Sequence, residues 1–149
     1  MSHAEGSFTT ASGESSHAEG YISVAQGDSS HAEGDLTKAS GTNSHAEGYH
    51  TKASGYASHS EGSNTIANNP CEHAQGKYNV SNTGETENTQ TIHSIGIGKS
   101  VDNRKNAQEV MVNGDYYIVG IGGYNGANIN EEGVKTLQEV LNEILEKIS

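Results

Sequence analysis

Small apolar and polar residues alternate along the first half of the chain in a unit that repeats every 14 residues. The unit begins with Ser-His-Ala-Glu-Gly, in which alanine stands between histidine and glutamate. Successive side chains of a β-strand point to opposite faces, so this order predicts a short strand with alanine on one face and the His/Glu pair on the other. Six such units, the last two slightly altered, follow one another without insertion, so the repeat decides the architecture.

A second half-repeat, of the type Thr-x-Ala-x-Gly, lies between these blocks and ends at Gly13, Gly27, Gly41 and Gly55. Glycine permits the positive φ that a tight turn needs, so we expect a corner wherever a strand ends in glycine. Two short strands and two corners form one flattened coil, and successive coils pair in parallel about 4.8 Å apart. The sequence therefore predicts an all-β fold, a parallel β-roll over residues 1–80, with alanine side chains inside it.

The residues that flank the inward alanine are expected to form two columns along one side of the roll. Residues i and i+2 of a strand share a face, so each coil contributes one histidine and one carboxylate or amide to that side. The pairs are His3/Glu5, His17/Glu19, His31/Glu33, His45/Glu47, His59/Glu61 and His73/Gln75.

This 14-residue unit resembles the head repeat of trimeric autotransporter adhesins, whose typical strand reads Ser-Val/Ile-Ala-Ile/Leu-Gly. The resemblance implies a left-handed parallel β-roll that assembles as a homotrimer, with the flanking pairs at the trimer interface. The chain differs from that family at these positions, because imidazole and carboxyl groups replace aliphatic side chains. Residues 104–124 are in addition similar to segments of phage and prophage tail fibres, where they join a head-like repeat to a C-terminal helix.

Residues 81–128 are interpreted as a transitional β region. After a loop rich in Asn, Thr and Glu, the repeat resumes once, with Gly98 equivalent to Gly76 after an eight-residue insertion. In this last coil Ile95 and Ile97 replace the polar pair, and we expect both at the trimer interface. The dipeptide at residues 113–114, Asn-Gly between two β-prone runs, then predicts a β-hairpin.

Residues 129–149 are predicted to form a helix with Asn130 as its N-cap. Apolar residues step through it by three and four, as in the seam of a coiled coil. We expect this seam to contact the other chains of the trimer, and the alternative is an amphipathic helix packed on the hairpin. The seam consists of Val134, Leu137, Leu141, Ile144 and Ile148.

Composition and the apolar residues add further limits to this picture. Only 6 of the 23 Leu, Ile, Val and Phe residues lie in residues 1–80, so this half cannot bury a large apolar core. The formal net charge of −11 argues against nucleic acid as a partner. There is no apolar run of membrane-spanning length, so we expect no membrane insertion. The lone Cys71 excludes an intrachain disulfide.

The His/Glu columns have two chemical interpretations. Imidazole and carboxylate groups suit zinc and similar transition metals, which makes a metal-binding rod an alternative. We favour a network in which histidine of one chain contacts glutamate of the next, and ion pairing would then raise the histidine pKa values. No nucleophile–base arrangement stands out, so we expect no enzyme and no cofactor. An ice-binding face at Thr9, Thr37, Thr51 and Thr65 is a further, weaker alternative.

These features predict a structural rod of a trimeric fibre. No signal peptide or membrane anchor is recognisable, so we expect a phage or prophage tail fibre on the virion. The alternative is the head of a bacterial autotransporter adhesin at the cell surface. The rod would present a surface to a cell-surface receptor or glycan. Exposed side chains that would either stack on a glycan or merely decorate the rod are Phe8, Tyr21, Ile22, Tyr49 and Tyr56.

Overall fold

Residues 1–148 are described by a computed structural model, in which a β-solenoid of about five 14-residue turns precedes a short antiparallel region and one C-terminal helix. The predicted β-roll is thereby confirmed. The longer strand of each coil spans His3–Ser7 (β1), His17–Tyr21 (β3), His31–Asp35 (β5), His45–Tyr49 (β7), His59–Ser63 (β9) and His73–Lys77 (β11). The shorter strand spans Thr10–Ala11 (β2), Val24–Ala25 (β4), Lys38–Ala39 (β6), Lys52–Ala53 (β8) and Ile66–Ala67 (β10).

Equivalent residues of neighbouring coils pair directly with each other. In the sheet β1-β3-β5-β7-β9-β11 all strands are parallel, and the short strands form a second parallel sheet in the order β10-β8-β6-β4-β2. The register places His17 opposite His31 and Glu19 opposite Glu33. Each residue type is therefore stacked on its own kind along the rod.

The interior of the solenoid contains only small side chains. Ala18, Ala32 and Ala46 from the long strands and Ala25, Ala39 and Ala53 from the short strands are completely buried and contact one another. Thr37, Thr51 and Thr65 also point inward and are at most 1% exposed. The ice-binding alternative is therefore wrong, because three of its four threonines belong to the core.

Glycine is required at the two corners of a coil for different reasons. Gly34, at the end of a long strand, adopts a φ of +112°, as predicted. Gly41, at the end of a short strand, does not have a positive φ, which corrects the prediction for its corner. A Cβ at Gly41 would overlap the carbonyl oxygen of Gly55 and lie 2.6 Å from its carbonyl carbon, so close stacking of backbones excludes any side chain.

Non-glycine residues adopt the left-handed conformation two residues beyond these glycines. Ile22, for example, has a φ of 53° although its side chain is β-branched, and such a conformation costs about 1–2 kcal/mol. The backbone ladder compensates, because the Ile22 N–H donates to the Ser7 carbonyl at 2.9 Å and the Leu36 N–H to Tyr21 at 2.9 Å. Hydrogen bonding between coils thus continues around the corners.

Strand β12, Thr91–Ile97, closes the solenoid by pairing in parallel with β11. His93 lies opposite His73, Ile95 opposite Gln75, and Gly96, not Gly98, opposite Gly76. The predicted eight-residue insertion is two residues too long, because β12 is aligned on β11 through His93 and Gly96 and not through Gly98. Ile95 therefore continues the glutamate column, while Ile97 pairs with Lys77 and lies outside both columns.

The remaining strands confirm the predicted hairpin. Strand β13, Asn106–Met111, runs antiparallel to β12 and pairs with β14, Tyr116–Ile118. The connecting turn contains Gly114 with a φ of +89°. A small second core of Met111, Tyr117 and Tyr124 lies beside this hairpin. Among the described residues, no helix combines the length and the apolar character that a membrane span requires.

The C-terminal helix α1 spans Leu137–Ile148, so its predicted start at Asn130 is wrong. The Thr136 hydroxyl accepts from the Glu139 N–H at 3.2 Å, and the Thr136 N–H donates to the Glu139 carboxylate at 2.7 Å. This capping box, together with the positive φ of Gly133, sets the start of the helix. Val134 therefore lies outside the helix and packs on the second core instead of joining the seam. Residue 149, the end of the predicted segment, is outside the described residues.

The close approach at Gly41 leads to a stability prediction. We expect Gly41→Ala to lower the free energy of unfolding by roughly 2–3 kcal/mol, because the new methyl group meets backbone that cannot rotate away. The matched control is Ser40→Ala in the same turn, where a buried hydroxyl without a partner is removed. Denaturant titration of both variants measures the difference, and equal stabilities would contradict the close-stacking explanation.

Candidate functional site: the histidine–glutamate columns

The parallel register assembles the predicted histidines into a continuous stack of rings. The ring centroids of consecutive histidines from His17 to His73 lie 4.7–4.9 Å apart, and the ring planes differ by 2–8°. The stack loosens at both ends, where His3 meets His17 edge-on and His73 meets His93 at 51°. Sequence analysis correctly predicted that the histidines share one face, and it missed His93 as the final member.

Each glutamate of the second column lies beside a histidine of the same or the following coil. The Nε2 atom of His59 lies 3.2 Å from a carboxylate oxygen of Glu47, and that of His73 lies 3.3 Å from Glu61. Near the N-terminus the pairing falls within one coil, at 3.3 Å for His3 and Glu5. These side chains are about one-third exposed or more, so solvent screens each pair and each pair alone contributes little to stability.

Several imidazole nitrogens on this face lack a hydrogen-bond partner although they are shielded from solvent. They are the Nε2 atoms of His17, His31 and His45. A buried polar atom without a partner costs about 1–3 kcal/mol. In the middle of the rod, this face therefore carries imidazole nitrogens that are available for a hydrogen bond or a metal ion.

Pairing with glutamate does not raise the pKa of His45 in the single chain. Burial lowers the pKa of His45, and the neighbouring His59 and His31 lower it further, against a smaller opposing effect of Glu47 and Glu33. Burial likewise lowers the pKa of His93. The predicted upward shift is therefore not found for His45 in the single chain, where burial and the adjacent imidazoles both disfavour the positive charge.

The glutamate column borders an open groove of about 570 Å³ that runs along the rod. Its walls are Glu5, Glu19, Glu33 and Glu47, and its floor consists of the glycine that follows each glutamate. Carboxyl groups stacked in register influence one another: the pKa of Glu19 is raised by its contacts with Glu33 and Glu5. The groove is shallow and acidic, with no nucleophile among the residues that line it.

A second polar cluster, which sequence analysis missed, closes the base of the solenoid. Glu72 stands where the other five units have serine, and Asn69 stands where the other four half-repeats have glycine. One carboxylate oxygen of Glu72 accepts hydrogen bonds from the Asn68 and Asn69 N–H groups at 2.9 Å and from the Ser81 hydroxyl at 2.7 Å. No regular coil stacks beyond Asn69, so its side chain has room to bind the Asn82 and Thr91 carbonyls. The replacement of serine by Glu72 and of glycine by Asn69 was the sequence signal from which this polar cluster could have been predicted.

Glu109 forms the centre of a neighbouring network and is completely buried. Its carboxylate accepts from Asn82 at 2.6 Å, from the Thr91 hydroxyl, from the Tyr124 hydroxyl at 2.8 Å and from Asn106 at 3.2 Å. All of these donors come from different segments of residues 82–124. The network therefore joins the closing strand, the hairpin and the following loop, which indicates a structural role.

The predicted interface residues of the C-terminal helix do not all lie on one exposed surface. Leu141, Ile144 and Ile148 lie exposed along α1, with exposed fractions of 45%, 49% and 75%, and no residue of α1 is buried. Leu137 is half-buried near the hairpin, because α1 contacts β14. The helix and the His/Glu columns are thus separate surfaces of the chain.

Comparison with protein-family models, curated proteins and solved structures gave no match for this chain. Its functional interpretation therefore depends on the geometry described above and on the sequence pattern.

Glu72 makes the stability of the solenoid depend on pH. Burial raises the pKa of Glu72 from 4.5 to about 7, although hydrogen bonds from Asn69, Ser81 and Asn68 oppose the shift. The folded state binds this proton more tightly than the unfolded chain, so the contribution of Glu72 is greatest below pH 4.5 and is lost as pH rises to about 7. We expect a loss of roughly 3 kcal/mol across this window.

The test compares unfolding free energies of the wild type and Glu72→Gln between pH 4 and pH 8. The glutamine variant should lack this decline, because its side chain stays neutral throughout. Glu85→Gln, which changes an exposed carboxylate, is the matched control and should follow the wild type. A wild-type profile parallel to that of Glu72→Gln would contradict the assignment.

Proposed function

We propose that this chain is the rod-forming subunit of a homotrimeric fibre, with the His/Glu columns turned toward the other two chains. The observation that carries the proposal is the set of shielded imidazole nitrogens without partners at His17, His31 and His45. Donors and acceptors from neighbouring chains would satisfy these atoms. The resemblance of the repeat to trimeric autotransporter adhesin heads supports the same orientation and a left-handed roll.

The C-terminal helix supplies independent support for association. Leu141, Ile144, Leu145 and Ile148 form an apolar strip, and each is at least 45% exposed in the single chain. An apolar strip of this kind on a helix of 12 residues is typical of a segment covered by other helices. Two other helices on a threefold axis would bury the strip, and their short coiled coil would hold the register that the identical coils of the rod leave open.

The biological role that fits this assembly is that of a spacer and contact surface. By resemblance to tail fibres, the rod would extend from a phage or prophage tail and present its outer side to a bacterial surface. Phe8, Tyr21, Tyr49 and Tyr56 are each at least 47% exposed and offer aromatic faces to a receptor or glycan. The alternative placement is the head of a surface adhesin. Neither role requires catalysis.

The helix provides the sharpest test of trimer formation. We expect Ile144→Glu to weaken association, because a charge replaces the centre of the apolar strip, whereas Asn142→Glu introduces the same charge on the polar side and leaves association intact. Light scattering after size exclusion should give three times the 15.6 kDa chain mass for the wild type and Asn142→Glu. A wild-type mass of one chain would overturn the proposal.

A further inference from the structure

The His/Glu columns bring metal-ligand atoms together within a single chain. Three consecutive clusters each contain two carboxylates and one imidazole whose ligand atoms lie within 4.8 Å of one another. The clusters are Glu19/His31/Glu33, Glu33/His45/Glu47 and Glu47/His59/Glu61. A fourth cluster, His3/Glu5/His17, lies at the more exposed first coil.

The spacing of these atoms is close to the spacing of ligands around a tetrahedral metal. Ligand atoms at zinc–nitrogen and zinc–oxygen bond lengths of about 2.0–2.2 Å lie roughly 3.3–3.6 Å apart around a tetrahedral ion. The Nε2–carboxylate separations are 3.8 Å for His45 and Glu33 and 3.2 Å for His59 and Glu47. Charge-assisted hydrogen bonds between such groups are shorter, about 2.7–2.9 Å.

The ligand chemistry selects the class of metal. One imidazole nitrogen with two carboxylate oxygens gives three protein ligands and leaves one tetrahedral position for water, an arrangement that zinc accepts. Magnesium and calcium prefer six or more oxygen ligands, which these clusters do not supply. The Nε2 atom of His31 has no hydrogen-bond partner, so a metal in the first cluster would displace no existing contact. In the third cluster a metal would replace the 3.2 Å contact between His59 and Glu47.

We propose that the His/Glu columns bind divalent transition-metal ions of the zinc class, with two ions in the three central clusters of each chain. Neighbouring clusters share Glu33 and Glu47, so an ion in the middle cluster would remove a carboxylate from each outer one. The two outer clusters share no residue, and each carries two carboxylates that balance one divalent charge. Occupancy of the outer pair therefore uses all four glutamates and leaves His45 without a metal.

This arrangement gives a distinctive set of stoichiometries. His45→Gln should leave the number of ions unchanged, because the middle cluster is not used. His31→Gln combined with His59→Gln should lower the number by one per chain, since both outer clusters are lost and the middle one becomes available. The triple variant, with His45→Gln added, should lose both central ions. The His3/Glu5/His17 cluster contributes equally to all four proteins and cancels in the comparison.

The experiment is calorimetric titration of the tag-free, metal-stripped full chain with zinc in the presence of excess magnesium. Magnesium suppresses diffuse binding to the acidic surface, and the visible absorption of a cobalt titration reports nitrogen coordination. Equal stoichiometry in all four proteins, or no binding above that of a buffer titration, would overturn the proposal and indicate a solvated polar face.

The metal sites do not depend on the trimer, because each cluster is complete within one chain. Light scattering of the same samples with and without chelator separates the two questions. A trimer that binds no zinc would refute only the metal sites. A monomer that binds zinc would refute only the proposed fibre.

Discussion

The parallel backbone ladder between residues 14 positions apart is the interaction on which the rest of the structure depends. A solenoid of alanine, serine and threonine buries little apolar area per residue, so regular hydrogen bonding along and around each coil must hold the stack. The ladder continues through the corners, where residues such as Ile22 accept a strained φ because their N–H groups donate to the coil before. Backbones stack so closely that Gly41 has no room for a Cβ.

This same ladder determines the chemistry of the surface. In-register pairing places every side chain on its own equivalent, so histidine stacks on histidine and glutamate on glutamate. One consequence is that the pKa of His45, which burial lowers, is lowered further by the neighbouring imidazoles, because protonation of one ring disfavours protonation of the next. Another is a row of identical ligand clusters whose carboxylates are shared. A short backbone repeat thereby creates a periodic polar face.

The fold of residues 1–80 could be predicted from the sequence because its signal is repeated six times, and one strand and its corner define all the others. The inward alanines and the shared face of His31 and Glu33 follow from the two-residue period of a strand. The structure departs from the prediction where the repeat is interrupted. In the closing coil the prediction aligned Gly98 with Gly76, whereas the structure aligns His93 with His73.

The base of the solenoid and the start of the helix could not be predicted from periodicity. Asn69 and Glu109 both contact Thr91, which lies 22 and 18 residues away in the chain, and a single sequence does not reveal such contacts. At the helix, Thr136 and Glu139 formed a recognisable capping box, but the apolar spacing that began at Val134 suggested an earlier start. Local hydrogen bonding thus outweighed the apolar pattern.

Distance measurement between spin labels tests most directly whether the His/Glu face is the shared interior of a trimer. In a Cys71→Ser background, one label would replace His45 and, in a second protein, Lys52 on the opposite sheet. We expect a short interchain distance at position 45 and a distinctly longer one at position 52. The absence of any interchain distance, or the reverse order of the two, would contradict this arrangement.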